Sequence, residues 1–342
     1  MNPESLTDAL KREALRLGFD LVGATAAVCP SGIGPFREWL DRGYAGEMRY
    51  LSDRANAYAD PNQVLDGVQS ILMLAVNYRT VEPAPAGPGQ GAVSRYGWGD
   101  DYHDVIRRQL HDLADFHRQL VPEAHVRGVV DTAPLLERDF AQQAGLGWIG
   151  KNTMLVNRRF GSWTFLAGLL SSEPLVYDEP IEKGYCGSCR ECLDACPTGA
   201  LVEPYRLDAR KCLSYLTIEL RESIPTDLRG PIDDQLFGCD LCQKACPWNG
   251  DTPTTEAKAY CPRADSNPMK LAELFLLDDA AFRERFCGTP FWRSKRTGIL
   301  RNAAIVLGNH PHVPAVPGLL RGLADGEPLV RDACKWALLR YT

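Results

Sequence analysis

The sequence predicts a three-part chain, in which a mixed α and β region precedes a cysteine-rich segment and an all-helical C-terminal region. Over residues 1–175, segments with helical spacing of apolar residues alternate with short apolar runs, which is typical of an α+β or α/β-like domain. Nine of the twelve cysteines fall within residues 176–262. Residues 265–342 show helical spacing and almost no strand signal. These changes of pattern give the predicted domain boundaries.

The N-terminal region contains four predicted helices and four predicted strands. The helices show an apolar stripe at helical spacing, and the strands are short continuous apolar runs. The predicted helices cover 5–18, 33–42, 104–120 and 135–144, and the predicted strands cover 20–24, 70–78, 125–130 and 164–170. A segment rich in Pro and Gly, 81–91, is expected to form an exposed loop.

Two cysteine runs dominate the middle of the chain. The first has the spacing Cys-x2-Cys-x2-Cys-x3-Cys-Pro, and the second is the same but lacks its first cysteine. The first spacing is the bacterial ferredoxin signature, in which the fourth cysteine of a run ligates the other 4Fe–4S cluster. A zinc ribbon would favour separated Cys-x2-Cys pairs instead. We therefore predict a ferredoxin-like domain with two clusters, the first held by Cys186, Cys189, Cys192 and Cys246.

The second cluster needs a ligand from outside the two runs. Cys196, Cys239 and Cys242 supply three of its ligands under the same rule. Cys212 lies between the runs and is our predicted fourth ligand. Cys261, which precedes Pro262, is the alternative.

Composition and charge restrict the class of protein. A hydrophobic content of 45% and a charged content of 24% describe an ordinary globular protein. The net charge of −6 argues against bulk, nonspecific nucleic-acid binding, although a local basic patch remains compatible with it. We recognise no signal peptide, twin-arginine pair or apolar run of membrane-spanning length. Twelve cysteines in such a chain favour metal ligation in a reducing compartment, so we expect a cytoplasmic protein with no membrane association.

Asp131 stands at the end of a predicted strand, directly before a turn. Ligands of α/β proteins bind in the crevice at such strand ends. A carboxylate held there among apolar neighbours and a cofactor should resist ionisation, which suits a proton donor. The alternative is that Asp131 only caps the following helix.

The segment 145–152 superficially matches a phosphate loop. Its last position is Asn152, where Ser or Thr should ligate magnesium, and it follows a predicted helix instead of a strand. We therefore reject a nucleoside triphosphatase. Lys151, Asn152 and Thr153 remain candidates for binding another polar or anionic group.

The segment 94–103 is dense in aromatic and polar residues and follows the predicted loop. We expect it to close over a large flat ligand. We interpret His103 as an ordinary hydrogen-bonding residue, because the six histidines form no set with metal-ligand spacing.

Residues 283–301 carry six basic residues and a single acid, on a chain that is acidic overall. Phe291 and Trp292 are interleaved with them. Basic side chains contact phosphates and aromatic rings stack on unpaired bases when proteins hold RNA loops. The alternative is a solvated helix face. We favour RNA binding, with contacts from Arg293, Lys295, Arg296 and Arg301.

The C-terminal region shows two similar helical segments, 301–309 and 331–338, about 30 residues apart. They resemble consecutive HEAT-type repeat helices. A simple helical hairpin that caps the cysteine-rich domain is the alternative. We favour the all-α HEAT-like interpretation.

Several motifs together resemble the epoxyqueuosine reductase family, over nearly the whole chain. The double cysteine motif alone would be generic, but the order of the motifs is specific. The matching stretches are 77–78, 95–96, 101–103, 130–134, 147–153, 161–163, both cysteine runs with Cys212, and the HEAT-like tail.

The resemblance implies a cobalamin-binding N-terminal domain, similar to that of reductive dehalogenases, and two clusters that relay single electrons to cobalt. It implies that epoxyqueuosine in a tRNA anticodon loop is reduced to queuosine. Asp131 matches the family's proton donor, and the family's use of Cys212 as a ligand supports it over Cys261. We expect the corrin to be contacted by Arg54, Asn77, Tyr96, Asp131, Lys151, Asn152 and Thr153.

The expected partners are tRNA that carries epoxyqueuosine and an external electron donor such as a ferredoxin or a flavodoxin, and we expect a monomer. One alternative function is a reductive dehalogenase for a small molecule, which would normally carry an export signal. The other is a non-catalytic iron–sulfur electron carrier. The 175-residue N-terminal region, with a placed carboxylate and an aromatic loop, is too elaborate for a carrier.

Overall fold

The computed structural model describes residues 1–341, and its first half combines six helices with seven strands. The helices are α1 Pro3–Arg16, α2 Ile33–Asp41, α3 Arg49–Asp53, α4 Ala55–Ala59, α5 Tyr102–Leu120 and α6 Glu137–Gln143. The strands are β1 Leu21–Ala26, β2 Ser70–Asn77, β3 Gln90–Val93, β4 Val126–Val129, β5 Trp148–Ile149, β6 Leu155–Val156 and β7 Thr164–Ser171. Every helix and strand predicted for this region is present, with both ends within two residues of the prediction.

The second half is mainly helical. Its helices are α7 Glu191–Asp194, α8 Leu213–Ile218, α9 Thr226–Arg229, α10 Leu241–Lys244, α11 Asp279–Phe286, α12 Lys295–Asn309, α13 Val316–Leu323 and α14 Pro328–Leu338. Its strands are β8 Leu201–Glu203, β9 Arg206–Leu207, β10 Gln235–Phe237 and β11 Met269–Lys270. Within residues 1–341, no helix is both long enough and apolar enough to cross a membrane.

A four-stranded antiparallel sheet with the order β1-β2-β7-β4 forms the centre of the N-terminal half. Every residue of β2 is buried, because its alternate side chains face two different cores. Leu72 and Leu74 pack with residues of α1 and α5, whereas Ile71 and Met73 pack with Phe140 and its neighbours in α6. Burial on both faces explains the continuous apolar run in the sequence. The antiparallel pairing makes this half α+β, which the sequence left open.

The cysteine segment and the C-terminal helices share one hydrophobic core. The core extends from Leu213 in α8 through Phe237 in β10 to Ala337 in α14. Asn302 in α12 reinforces it, because its side-chain amide donates to Thr217 O at 2.8 Å and to Leu236 O at 3.0 Å. This core crosses the predicted boundary near residue 265.

A small three-stranded sheet with the order β10-β3-β11 further connects the regions. β3 begins inside the segment 81–91 that we predict as a loop, and β11 lies in the C-terminal region where we see almost no strand signal. Both expectations are wrong at these positions. The strands contain only four and two residues, so neither gives a readable apolar pattern.

In the C-terminal region, α14 packs against both α12 and α13. Gly308 in α12 lies directly against the ring of Trp336 in α14, where a Cβ atom would approach Trp336 Cζ3 to 2.4 Å. Both a HEAT-like repeat and a simple helical cap contain such a pair of helices, so the HEAT-like interpretation stays a prediction.

Arg301 belongs to this core, and its predicted contact with RNA is wrong. Its side chain is 1% exposed. Its guanidinium donates to the carbonyl oxygen of Leu216 in α8 and to those of Leu220 and Glu222 just after this helix. The guanidinium therefore satisfies buried backbone acceptors. A spacing argument cannot distinguish such an arginine from a surface one.

Candidate active site

A cleft with a cavity volume of about 350 Å³ lies between the N-terminal sheet and the cysteine segment. This volume falls within the roughly 300–1,000 Å³ of small-molecule and cofactor sites. The cleft lining includes Tyr96, Tyr102, Asp131, Asn152, Thr153 and Phe165, together with four cysteines.

These four cysteines, which we call the cleft thiols, are Cys196, Cys212, Cys239 and Cys242. Burial raises the pKa of Cys239 to about 12, and the nearby thiols of Cys212 and Cys196 contribute to the shift. Burial also raises the pKa of Cys212, and Cys196 adds to the effect. Buried thiols this close repel one another as thiolates, so their ionised form needs a positive metal centre. The group matches the predicted second ligand set.

The other four predicted ligands, which we call the outer thiols, are Cys186, Cys189, Cys192 and Cys246. Burial raises the pKa of Cys192, and the thiols of Cys246, Cys186 and Cys189 add to the effect in that order. The two ligand helices α7 and α10 pack against each other. The interlocked pairing of the two runs, which brings Cys246 to the first run, is therefore present in the fold.

All twelve cysteines are free thiols, which removes a set of disulfides as an explanation of the cysteine runs. Cys261, the alternative ligand, donates its thiol to Ala257 O at 3.6 Å. Cys212 instead belongs to the cleft thiols. Two groups of four thiols fit two 4Fe–4S clusters.

Asp131 also lines the cleft, and its carboxylate is held by two neighbours on α5. Tyr102 OH donates to Asp131 Oδ2 at 3.1 Å, and His103 Nε2 lies 3.1 Å from the same oxygen. His103 Nδ1 lies 2.7 Å from Asp101 Oδ1. Asp101 is the N-cap of α5 and also accepts the His103 backbone N–H at 3.0 Å. The helix cap thus orients the imidazole towards Asp131.

The position of the proton in this network differs from our prediction for Asp131. Burial opposes ionisation of Asp131, but His103, followed by Tyr102 and Arg138, outweighs it and lowers the pKa of that carboxyl. Burial would lower the pKa of His103, but its hydrogen bonds to Asp101 and Asp131 raise that pKa to about 9. At neutral pH the imidazole is therefore charged and Asp131 ionised. The proton of this pair therefore lies on His103.

Asp131 belongs to a tight loop that two further side chains hold. Its φ angle is 55°, in the left-handed region that non-glycine residues rarely adopt. Its backbone N–H donates to Glu137 Oε1 at 2.6 Å. Arg54 Nη1 donates to the next carbonyl, Thr132 O, at 3.0 Å. The alternative prediction, that Asp131 caps the following helix, does not match the structure, because the N-cap of α6 is Leu136 and no side chain accepts a hydrogen bond there.

The predicted corrin contacts divide into two groups. Tyr96, Asn152 and Thr153 line the cleft with Asp131. Asn152 also donates towards Cys242 O at 3.5 Å, which connects the cleft to the loop of the cleft thiols. Arg54 supports the Asp131 loop through Thr132 instead of lining the cleft.

For Asn77 and Lys151 the predicted corrin contact is wrong. Asn77 is 2% exposed and donates to Pro253 O at 2.9 Å, so its amide supports the backbone behind the cleft. Lys151 Nζ donates to Gly187 O at 2.6 Å and to Cys189 O at 2.8 Å, on the loop of the outer thiols. Its charge thus serves a cluster loop. The glycine-rich motif around it gave no indication of that partner.

The basic segment 283–301 is only partly available to a ligand. Arg293 is half-exposed, forms a bidentate ion pair with Glu219 at 2.9 Å, and lies over the ring of Tyr50. Lys295 lies over the ring of Trp292, 4.3 Å from its centroid. Arg296 is mostly buried in an ion pair with Asp325, so its predicted RNA contact is wrong.

Phe291, predicted as a stacking platform for bases, is 2% exposed and stacks on Phe237 in the shared core. It cannot reach RNA. Only Arg293 and Lys295 of the four predicted RNA contacts remain candidates.

Sequence reasoning missed three residues of the site. His103 was interpreted as an ordinary histidine, and Glu137 and Arg138 were not considered, although Glu137 and Arg138 line the cleft. Two local signals were available. The segment Asp101-Tyr102-His103 has the pattern of a helix start, which places His103 in the first turn of the helix. Glu137 lies only six residues after Asp131, so it could be expected near the same loop.

Paired groups of four thiols beside a cleft that also contains a hydrogen-bonded carboxylate define the class of iron–sulfur oxidoreductases. The comparisons agree with this class. A family model described as "4Fe-4S double cluster binding domain" matches residues 185–249, and one described as "Epoxyqueuosine reductase QueG, DUF1730" matches residues 59–132.

Curated relatives cover nearly the entire chain. The epoxyqueuosine reductase of Pseudomonas aeruginosa is 39% identical over 99% of this chain and 96% of its own length. That of Escherichia coli is 38% identical over 97% of this chain and 89% of its own. The chain therefore belongs to the epoxyqueuosine reductase family.

Solved structures of the family share the fold. An epoxyqueuosine reductase with an epoxyqueuosine-modified tRNA-Tyr stem loop has a TM-score of 0.92 at 31% identity, covering 99% of this chain and 91% of the other. The Bacillus subtilis enzyme, with its catalytic aspartate loop swung out of the active site, has a TM-score of 0.91 at 30% identity, covering 99% and 91%.

Proposed function

We propose that this protein reduces epoxyqueuosine to queuosine in the anticodon loop of tRNA, as a monomer in the cytoplasm. The Asp131 network consists of Asp101, Tyr102, His103, Asp131 and Glu137. The observation that carries the proposal is that one cleft is lined both by the cleft thiols and by Tyr102, Asp131 and Glu137 of this network. A site that removes an epoxide oxygen as water must deliver both electrons and protons to the same place. Family membership supports this assignment.

The two thiol groups hold two 4Fe–4S clusters. The outer thiols lie on a loop whose Gly187 and Ser188 are exposed, so an external donor such as a ferredoxin or a flavodoxin delivers electrons there. Burial raises the pKa of Cys242, with contributions from the charges of Cys239 and Cys212 and also from Cys192, so the two groups are neighbours. The outer thiols would hold the cluster that is reached by the donor, and the cleft thiols would hold the cluster that faces the cleft.

The cleft holds cobalamin, with Tyr96, Asn152 and Thr153 as its contacts. The bound corrin supplies a strongly reducing metal centre, which no protein side chain offers. The protein positions the substrate epoxide, excludes water from the cleft and moves protons. Tyr96 and Phe165 contribute aromatic surface that suits a flat ring.

The Asp131 network supplies protons as the carbon–oxygen bonds break. Conversion of an epoxide into an alkene and water consumes two electrons and two protons, and the leaving oxygen gains negative charge. Asp131, fed by the charged imidazole of His103 at 3.1 Å, transfers a proton to that oxygen. Tyr102 donates to the same carboxylate and keeps it oriented.

The RNA contacts lie at the rim of the cleft. Arg138 lines the cleft and is exposed. Arg293 lies 5.6 Å from the centroid of the Tyr50 ring, and both side chains are exposed to solvent. Burial, followed by the charges of Glu219 and Asp131, raises the pKa of Tyr50 to about 12. The contribution from Asp131 indicates that Tyr50 and Arg293 lie near the catalytic carboxylate. Arg138, Arg293 and Lys295 are therefore the proposed RNA contacts, in place of the four that the sequence predicts.

The function is tested by turnover of an epoxyqueuosine-modified stem loop with anaerobically purified protein that shows both corrin and iron–sulfur absorption bands. We expect Asp131→Asn to keep both sets of bands and to lose turnover by about 10²- to 10⁴-fold, the usual contribution of a positioned acid. Protein with full iron that takes up no cobalamin, or an Asn variant with wild-type turnover, contradicts the proposal.

The RNA rim is tested by the affinity for the stem loop at several salt concentrations. Arg138→Gln and Arg293→Gln should each weaken binding and reduce the salt slope by about 1. Arg16→Gln, on α1 and outside the cleft lining, is the matched control. Equal effects of Arg16 and Arg293 substitution would remove the rim from the interface.

A further inference from the structure

The carboxyl of Glu137 lines the cleft, but the proposed transfer of a proton from His103 through Asp131 does not use it. Glu137 is the first residue of α6, and Phe140 and Ala141 of that helix are buried against the central sheet. The helix therefore gives the Glu137 side chain a rigid base. Its carboxyl lines the cleft and accepts the backbone N–H of Asp131 at 2.6 Å.

The hydrogen bond falls on the one residue of the loop whose backbone is unfavourable. Asp131 has a φ angle of 55°, and an L-residue with a side chain adopts this region only when its surroundings impose it. The next residue is also held, because Arg54 donates to Thr132 O at 3.0 Å. Glu137 and Arg54 thus each hold a backbone group of two consecutive residues of the loop.

The backbone at Asp131 determines where its carboxylate points. In the present conformation, Asp131 Oδ2 receives the hydroxyl of Tyr102 at 3.1 Å and lies 3.1 Å from His103 Nε2. A change to the ordinary range of φ would rotate the side chain relative to α5 and separate it from both partners. The geometry of proton transfer therefore depends on a residue that itself transfers nothing.

We propose that Glu137 is a positioning residue for the reaction, which holds Asp131 in its left-handed conformation by accepting its backbone amide. The inference rests on the proposed function for its catalytic consequence, but the hydrogen bond acts in the protein without cofactors. Burial and the charge of Asp131 keep Glu137 protonated at neutral pH, with a pKa of about 8. A neutral acceptor is thus sufficient, which makes glutamine a close substitute.

The test compares Glu137→Gln, which keeps a neutral oxygen acceptor, with Glu137→Ala, which removes it. Gln143→Ala, at the other end of α6, is the matched control. Turnover, KM for the stem loop, iron content and corrin content are measured for each protein. Amide hydrogen exchange of residues 130–136 is measured on the same purified proteins with their cofactors bound.

We expect Glu137→Ala to lower kcat by about 10- to 100-fold, the effect of a small misplacement of a catalytic group. Its KM, iron and corrin should stay within about twofold of wild type. Exchange in 130–136 should accelerate in the Ala variant and remain slow in the Gln and control variants. Glu137→Gln should keep kcat within about threefold.

Two results overturn the proposal. Wild-type exchange in Glu137→Ala would show that the hydrogen bond does not hold the loop. A Gln variant as slow as the Ala variant, with slow exchange in 130–136, would make Glu137 a proton donor instead of a positioning residue. If wild-type protein showed no turnover of the stem loop, the proposed function would be rejected. The exchange measurement would still show whether the hydrogen bond from Asp131 to Glu137 holds the loop.

Discussion

The cleft thiols and the Asp131 network line the same cavity but are built in different ways. The cleft thiols come from two cysteine runs and one cysteine between them, and the spacing within each run is local. The network joins a helix start at Asp101, a strained loop at Asp131 and a second helix start at Glu137. Ligand spacing can be read along the chain, whereas a network of hydrogen bonds between distant segments requires the fold.

The comparison implies that the two parts can be damaged separately. Substitutions among the thiols should change iron content or reduction potential and leave the pH dependence intact. Substitutions in the network should change turnover and its pH dependence at constant iron content. The following three substitutions test this separation, in order of decreasing effect.

Cys212→Ser should have the largest effect, because it removes one of the four cleft thiols that ligate the second cluster. We expect iron to fall from about eight to about four atoms per chain, given four per cluster, with loss of turnover. Iron analysis and the visible spectrum measure the change. Cys261→Ser is the matched control and should keep its iron. The reverse pattern would make Cys261 the ligand.

His103→Gln should lower turnover by about 10²-fold, within the range of general acid catalysis, at unchanged iron and corrin content. Since the pKa of His103 is raised to about 9, its proton is bound below that pH and lost above it. Wild-type turnover should therefore decline as the pH rises through about 9. The Gln variant should lack this decline. A decline of the same shape in both proteins would assign it to another group.

Lys151→Met should have the smallest effect, because Lys151 touches only backbone carbonyls of the outer-thiol loop, at 2.6 and 2.8 Å. Loss of this positive charge should make the first cluster harder to reduce, by on the order of tens of millivolts. A redox titration monitored by electron paramagnetic resonance measures the shift. Lys151→Arg keeps the charge and should stay near wild type, and equal potentials in all three proteins would contradict the expectation.

Much of the fold could be predicted because its signals are local. The helical stripes, the apolar strands and the cysteine spacing all repeat over short distances, and each predicted N-terminal element is present. The two-residue strand β11 and the four-residue strand β3 were missed because so few residues carry no pattern.

The site was predicted less completely, and the errors have a common cause. Charged and amide side chains often bind ligands, and for that reason the sequence analysis predicts ligand contacts for four residues that do not make them. These residues are Asn77 and Lys151 for the corrin, and Arg296 and Arg301 for RNA. In the structure each of these side chains instead satisfies a partner within the protein: a backbone carbonyl for three of them, and chiefly the Asp325 carboxylate for Arg296. Only the fold shows which polar groups are already paired.

By itself, the sequence determined the seven thiols of the two cysteine runs, the mixed N-terminal region, the helical C-terminal region and the candidate carboxylate, because each depends on residue type and short spacing. The tertiary structure decided the antiparallel order of the central sheet, the shared core of the second half, the grouping of Cys212 with the other cleft thiols, and the position of the proton on His103. These features depend on which distant segments meet, and on the burial and charge that each contact creates.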